Sequence, residues 1–481
     1  MQNKAVNLWG PLLVFLLLSY FSLFHQLPRH PMYWWDESSY ALNAQEMIER
    51  GNPIEVYLLG QPDLYNSKPP FAIWCMATCI KVFGFNELGA RMASAIFALL
   101  TAGLLWILGV KITHNKWIAL IFPAILFSSI GYTGWHIART GDTDSILVFW
   151  IFLQSIFIFS YTNTDSAKKE TLYLALFGLA FSFGCLTKGI AGFTAIPGIV
   201  AWIIYKGKIK SIFLNKGFYI ALFSFLLLVI GYYWLRSSLT PGYFQAVMEN
   251  EIGGRLQRQD FLNQKTLPFY FYFESMITQE RFFIWIFILP ISIIYIFISK
   301  HSMTKQVGLF FIFIFFSISG LLAISKTKLE WYDAPLYPVM SIIIGVSFII
   351  LITEKSKKFI ILFICCLGWP FFKVVANNSS SFSGSAIGNF MRLIRKKGHN
   401  KDTVHIINSN PNFFVVYFYA KKDSLLGYSN KVVLADDASL SVGDYILTQQ
   451  YERDVDVHKI FNLEPILHYK ECNYYRIINK K

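Results

Sequence analysis

The chain has 481 residues, 54% of them hydrophobic and only 15% charged, with a formal net charge of +14. Soluble domains carry about 25% charged residues, and here the surplus apolar residues gather in runs of roughly 17–22, the length that crosses a hydrocarbon core of about 30 Å, which excludes a soluble globular protein. The Lys and Arg residues fall mostly in short loops between those runs, a pattern that orients membrane helices and argues against nucleic acid as the partner of the positive charge.

The first apolar run, Leu8 to Phe24, follows Lys4 and precedes Pro28-Arg29-His30-Pro31. It lacks a small-residue cleavage site and reads as an uncleaved first helix. Membrane spans are predicted at roughly 8–27, 88–110, 117–134, 144–161, 171–187, 189–205, 217–235, 282–299, 307–325, 334–353 and 358–375. Thr187-Lys188-Gly189 breaks one long apolar stretch with a Gly and a charge, the mark of a tight turn between helices. The six cysteines include no Cys-x-x-Cys pair, so neither a zinc site nor a disulfide scaffold is expected.

With the N-terminus in the cytoplasm, fourteen lysines lie on the short inward connections, from Lys4 to Lys355, Lys357 and Lys358. That satisfies the positive-inside rule. The outward segments are then 28–87, 135–143, 187–189, 236–281, 326–333 and the tail from 376.

The first outward segment carries Trp34-Trp35-Asp36-Glu37 and Asn66-Ser67-Lys68-Pro69-Pro70-Phe71. Its Glu46–Arg50 stretch is predicted helical, and Phe71–Phe83 is predicted to lie in the interface as an amphipathic helix. The second carries Arg139-Thr140-Gly141-Asp142-Thr143-Asp144, and the fourth Arg236, Arg255 and Arg258. The fifth is Lys326-Thr327-Lys328-Leu329-Glu330-Trp331-Tyr332-Asp333. Asn377 to Ser385 reads as a polar linker. Beyond it, helices at Ile387–Lys397 and Asn412–Ala420 and strands at Thr403–Asn408, Lys431–Leu434 and Tyr445–Leu447 predict a small outward α/β domain. The expected division is 1–375, an all-α polytopic transmembrane domain that includes the loop 28–87, and 376–481, the soluble outer domain.

Two acidic pairs stand out. Asp36 and Glu37 could simply open a solvated loop beside an aromatic belt. As chemistry, a carboxylate screened by Trp34 and Trp35 can hold an acceptor hydroxyl and take its proton, an effect of about 10²–10⁴-fold. Asp142 and Asp144 could serve only as favourable charge at a helix start, worth about 0.3–1 kcal/mol. Alternatively they position an acceptor or bind a divalent cation through oxygen. Lys68, Arg139, Lys188 and Lys328, with Arg255 or Arg258, form an outward basic set on the side that the positive-inside rule leaves poor in Lys and Arg. Each alone could anchor lipid headgroups. Together they suit a lipid-linked phosphate, with Tyr65 and Tyr332 as hydroxyl donors.

In this order, Trp35-Asp36-Glu37 with Tyr40-Ala41, Lys68-Pro69-Pro70, Arg139-Thr140 with Asp142 and Asp144, Leu186-Thr187-Lys188-Gly189, and Lys328-Leu329 with Tyr332 and Pro335-Leu336-Tyr337-Pro338 resemble the polyprenyl-phosphate-sugar-dependent glycosyltransferases of the GT-C superfamily. The resemblance covers about 1–355 and is nearest to the lipid A aminoarabinose transferases and the wider protein O-mannosyltransferase group. It implies a GT-C fold of about eleven transmembrane helices and inverting transfer from a polyprenyl-phosphate sugar to a glycolipid, glycan or protein acceptor. It implies the plasma (inner) membrane, with the site facing the periplasm or outside. Asp36 matches the family's catalytic acidic residue after the first helix, Asp142 or Asp144 its second acidic position, and Lys68 and Tyr332 its lipid-phosphate contacts. No cofactor is required, and a divalent cation at Asp142 and Asp144 stays open. The motif Lys-Leu-Pro-x-Tyr of the aminoarabinose enzymes becomes Lys328-Leu329-Glu330-Trp331-Tyr332 here.

The competing expectation is a transporter or flippase of a lipid-linked substrate. Such proteins place charged groups near the bilayer midplane, whereas the charges here cluster in outward loops.

Overall fold

The computed structural model describes residues 2–33, 35–253, 267–300, 302–379, 386–398, 402–408, 413–449 and 451–481. Apolar helices occupy each of the eleven segments where spans are predicted. Among the described residues seven helices are long and apolar enough to cross a membrane: Glu87–Thr113, Asp144–Thr162, Ala167–Phe193, Lys216–Leu239, Met303–Ile324, Leu336–Lys355 and Phe359–Ser379. Shorter apolar helices lie at Trp9–Phe24, Phe71–Phe83, Ile118–Phe127, Ile196–Tyr205 and Phe283–Ile298. The chain is a multi-pass membrane protein. Its lipid-facing side chains, such as Phe223, Ile291 and Ile361, stay exposed.

Local chemistry sets the helix ends. Asn86 caps the helix Glu87–Thr113 by accepting from the Leu88 and Gly89 amides. The segment Leu336–Ile350 is buried at every position. Its Ser341 and Ser347 hydroxyls bond back to Tyr337 O and Ile344 O, so burial costs no unmet hydrogen bond. At the predicted break Gly189 takes φ 53°, a 3-10 turn covers Gly189–Phe193, and the next helix starts only at Ile196. The turn is longer than predicted because Pro197 fits the first turn of a helix, not its interior.

Outside the bundle, the helix Asp36–Arg50 is followed by a hairpin of β1 (Tyr57–Leu58) and β2 (Gln61–Pro62). Further strands are β3 (Val404–Ile407), β4 (Asn430–Val433), β5 (Tyr445–Gln449), β6 (Phe461–Tyr469) and β7 (Cys472–Lys480), in the sheet order β4-β3-β5-β7-β6. β3 is parallel to β4 and β5, and β7 is antiparallel to β5 and β6. The helices Ala386–Lys396 and Phe414–Leu425 pack with this sheet. The helix Phe359–Ser379 runs on into the stretch read as a linker. One apolar cluster joins the C-terminal sheet to the outward helices: Tyr40, Met47 and Ile73 pack with Phe390, Phe418, Tyr419 and Leu447.

Candidate active site

Asp36 and Glu37 open the helix Asp36–Arg50, where the backbone dipole favours acids. Their environments then differ. Glu37 is buried and saturated. It takes Arg91 Nε at 2.6 Å and Nη2 at 3.0 Å, the Tyr33 amide at 2.9 Å and the Gly141 amide at 2.9 Å. Arg91 also donates to the carbonyls of Leu27, His30 and Pro31. The geometry therefore corrects the expectation of a catalytic pair: Glu37 is a clamp between two outward loops, with no oxygen left for a substrate. Asp36 is half-buried, and among the described residues no hydrogen bond engages its carboxylate. One of its oxygens lies within 4.8 Å of both a His136 ring nitrogen and an Asp142 oxygen.

The second outward loop delivers those partners. His136 has a left-handed backbone, φ 61°, a strained choice for a residue with a Cβ and one that clusters at functional sites. The turn aims its ring inward, with Nδ1 3.1 Å from Asp142 Oδ1. That contact is an ion pair by distance without hydrogen-bond alignment, and Asp142 Oδ2 is buried without a hydrogen-bond partner. Burial alone would lower the His136 pKa, but Asp142, Asp36 and Asp144 together raise it above the ordinary imidazole value. Gly141 makes the close approach feasible: a Cβ there would lie 2.9 Å from Ala90 O and 3.3 Å from Glu37 Cγ.

Asp144 is buried and paired. Lys188 Nζ reaches both of its oxygens at 2.7 Å, and the same ammonium lies 5.2 Å from the Tyr332 ring centre. Tyr65 is half-exposed; burial first, then the charge of Asp36, raise its phenol pKa, and Tyr332 also acts on it. Lys68 stands 5.6 Å from the Tyr40 ring centre, with no carboxylate in ion-pair reach among the described residues. Arg236 donates to the Lys68 carbonyl, and Tyr243 donates to that of the preceding Ser67 at 2.9 Å.

Two expected phosphate ligands turn elsewhere. Arg139 is buried, with Nη1 on Leu23 O at 3.0 Å and Nη2 on His25 O at 2.8 Å. It satisfies carbonyls where the first helix ends. Burial and neighbouring Arg91 lower its pKa to about 10. Lys328 donates back to Ser325 O in its own loop, and burial lowers its pKa. Arg255 and Arg258 lie outside the described residues. His136 was missed in the sequence; the available signal was an imidazole six residues before Asp142 in an outward loop.

The three groups Asp36, His136 and Asp142 fit a divalent cation better than Asp142 with Asp144, because Lys188 already neutralises Asp144. Two carboxylates and an imidazole suit the harder transition metals. An apolar groove of about 440 Å³ is lined by Gly189, the residue after Lys188, with Phe193, Phe225, Val229, Trp234 and Glu251. Glu251 accepts from Ser67, the neighbour of Lys68, at 3.3 Å. The groove thus borders the chain neighbours of two cations: Gly189 follows Lys188, and Glu251 holds Ser67, which precedes Lys68.

The family model described as dolichyl-phosphate-mannose-protein mannosyltransferase matches residues 67–234. An uncharacterised protein of Aquifex aeolicus is 30% identical over 66% of this chain and 60% of its own length. The undecaprenyl phosphate-alpha-4-amino-4-deoxy-L-arabinose arabinosyl transferase of Photorhabdus laumondii is 25% identical over 70% of this chain and 58% of its own length. The chain thus spans about three fifths of the length of these two relatives. The crystal structure of ArnT from Cupriavidus metallidurans bound to undecaprenyl phosphate superposes with TM-score 0.70 at 14% identity, covering 97% of this chain and 98% of that one. The chain therefore has the GT-C fold, and it resembles the polyprenyl-phosphate-sugar-dependent glycosyltransferases of the aminoarabinose transferase group.

Proposed function

We propose that the protein is an inverting glycosyltransferase that moves a sugar from a polyprenyl phosphate to a hydroxyl or phosphate of a lipid A-like glycolipid, a glycan or a protein. The carrying observation is that Asp36 remains available while Glu37 and Asp144 beside it are saturated by cations. Asp36 takes the proton of the acceptor hydroxyl. The acceptor oxygen bonds to the anomeric carbon as the bond from that carbon to the phosphate oxygen breaks. The configuration inverts because one displacement occurs, and the polyprenyl phosphate leaves with the electron pair. Lys68, with Tyr65 and Tyr332, meets the charge developing on that phosphate, and the apolar groove at Phe193 and Phe225 suits its tail. Lys188 neutralises Asp144 and presents its remaining donor capacity towards Tyr332.

No cofactor is needed in this scheme. Asp36, His136 and Asp142 would hold a divalent cation if one binds, and it would supply positive charge to orient the acceptor. The reading assigns the site to the outer face of the plasma membrane, the periplasmic side in a cell with two membranes, where nucleotides are scarce and a lipid carrier is the available donor.

The test is transfer by purified protein in nanodiscs from a panel of polyprenyl-phosphate sugars to membrane-extract acceptors, with and without EDTA. Wild type is expected to transfer and Asp36→Asn to fall at least about 10²-fold with an unchanged melting temperature. Normal transfer by Asp36→Asn would refute the base assignment, and loss of transfer with EDTA would make the cation essential.

A further inference from the structure

Among the described residues between the first membrane helix and Asp36 there is no helix or strand, so their backbone polar groups need partners elsewhere. Arg91 takes the carbonyls of Leu27, His30 and Pro31. The Met32 amide, four residues before Asp36, is fully buried and donates to Tyr419 Oη at 2.9 Å. Tyr419 belongs to the helix Phe414–Leu425 of the C-terminal domain. Its hydroxyl donates in turn to Glu87 Oε1 at 3.2 Å. Glu87, at the outward end of its membrane helix, also accepts from Arg392 at 2.6 Å and from Lys422, both C-terminal residues. The Tyr419 ring cannot shift freely, because Gly388 lies against it: a Cβ at Gly388 would come within 2.2 Å of the phenol oxygen. A single hydroxyl therefore bridges the C-terminal domain, the membrane bundle and the strand of chain that delivers Asp36.

We propose that Tyr419 is a positioning residue for the transfer reaction, through which the C-terminal domain fixes the height and direction of Asp36 at the membrane surface. The inference rests on Asp36 being the base, as argued above. A domain that merely tethered or solubilised the chain would need only the apolar contacts it already has with Tyr40, Met47 and Ile73. The hydroxyl bridge adds a directional constraint on backbone four residues from the reacting carboxylate, and misplacements of about 1 Å there cost up to about 10²-fold in rate.

Tyr419→Phe keeps the ring and removes the bridge, and Gly388→Ala displaces the ring. Lys421→Ala, which breaks only a surface pair with Glu49, is the control. Full-length variants in nanodiscs are compared by kcat, donor KM and hydrogen exchange of peptides covering 25–40 and 404–449. Tyr419→Phe is expected to lower kcat about tenfold with donor KM within about twofold, to speed exchange in 25–40 and to leave exchange in 404–449 as in wild type. Gly388→Ala should follow it, and Lys421→Ala should match wild type in every readout. Wild-type kcat and exchange in folded Tyr419→Phe would overturn the proposal. So would equally faster exchange across the C-terminal domain, since that marks simple undocking. If wild-type protein transfers from no donor, the glycosyltransferase reading fails, while the exchange data still decide whether Tyr419 orders the 25–40 segment.

Discussion

His136 and Trp331 lie face to face, with ring centres 3.7 Å apart and planes 13° from parallel, although they come from two different outward loops. Trp331 also meets Trp135 edge-on at 5.4 Å. Asp142 raises the pKa of this buried imidazole, its protonated form gains from an aromatic face, and the stack fixes the rotamer that points Nδ1 at Asp142. Trp331→Ala should therefore lower kcat about tenfold while donor KM changes little, and Trp331→Phe should restore part of the rate. Steady-state kinetics on both variants checks this.

Lys68 and Arg139 are both outward cations in the sequence, but Arg139 is committed to the Leu23 and His25 carbonyls while Lys68 lies over the Tyr40 ring. Lys68→Ala should raise donor KM by about tenfold or more, as expected for one charge-assisted contact, with an unchanged melting temperature. Arg139→Ala should leave donor KM unchanged and lower stability by about 1–3 kcal/mol, because carbonyls at the end of the first helix lose their donors. Donor titrations and thermal melts on the two proteins separate the roles; the reverse assignment would show as a KM effect in Arg139→Ala.

Asp144 and Lys188 form a buried pair at 2.7 Å. Lys188→Met should destabilise by about 3–5 kcal/mol, since it leaves a carboxylate buried alone. Adding Asp144→Leu should recover most of that stability. If the pair is structural only, the double variant regains activity too; a stable but inactive double variant marks Lys188 as part of donor binding.

His30 supplies a pH signature. Burial first, then Arg91, Arg139 and Arg29, lower its pKa below 6.5, against the hydrogen bond to Asn378 O. The unfolded chain then binds the proton more readily than the folded one, so its contribution is complete above pH 6.5 and is lost as pH falls through the lowered folded value. Melting temperature should decline on acidification below pH 6.5, and the decline should flatten in His30→Asn.

Gly141 carries a close backbone approach between two elements of the site, with 2.9 Å from its Cβ position to Ala90 O. Gly141→Ala should cost about 1–3 kcal/mol by overpacking against Ala90 O and Met76 and should lower kcat by displacing Asp142. A melt and a kinetic assay on the same preparation check both.

Helix positions were readable because apolar runs of membrane length leave few alternatives, and charge in the loops oriented them. Hydrogen-bond allocation was not readable. Glu37 and Asp36 are adjacent and chemically alike, and only the placement of Arg91, more than fifty residues away, saturates one and spares the other. Arg139 and Lys68 differ in the same way. His136 escaped notice because its inward aim depends on a positive φ at a non-glycine residue, which composition does not announce. The hairpin of β6 and β7 was missed for a related reason: Lys470 takes φ 54° in the turn where Gly or Asn would have signalled it.

The bond between Met32 and Tyr419 spans 387 positions of the chain. During synthesis the segment carrying Asp36 leaves the ribosome early, yet its last hydrogen-bond partner emerges only after the bundle has been threaded. This contact thus waits on residues that follow the whole bundle in the chain, and pairings of such long sequence range form slowly. A chain that ends before Tyr419 leaves the buried Met32 amide without this partner.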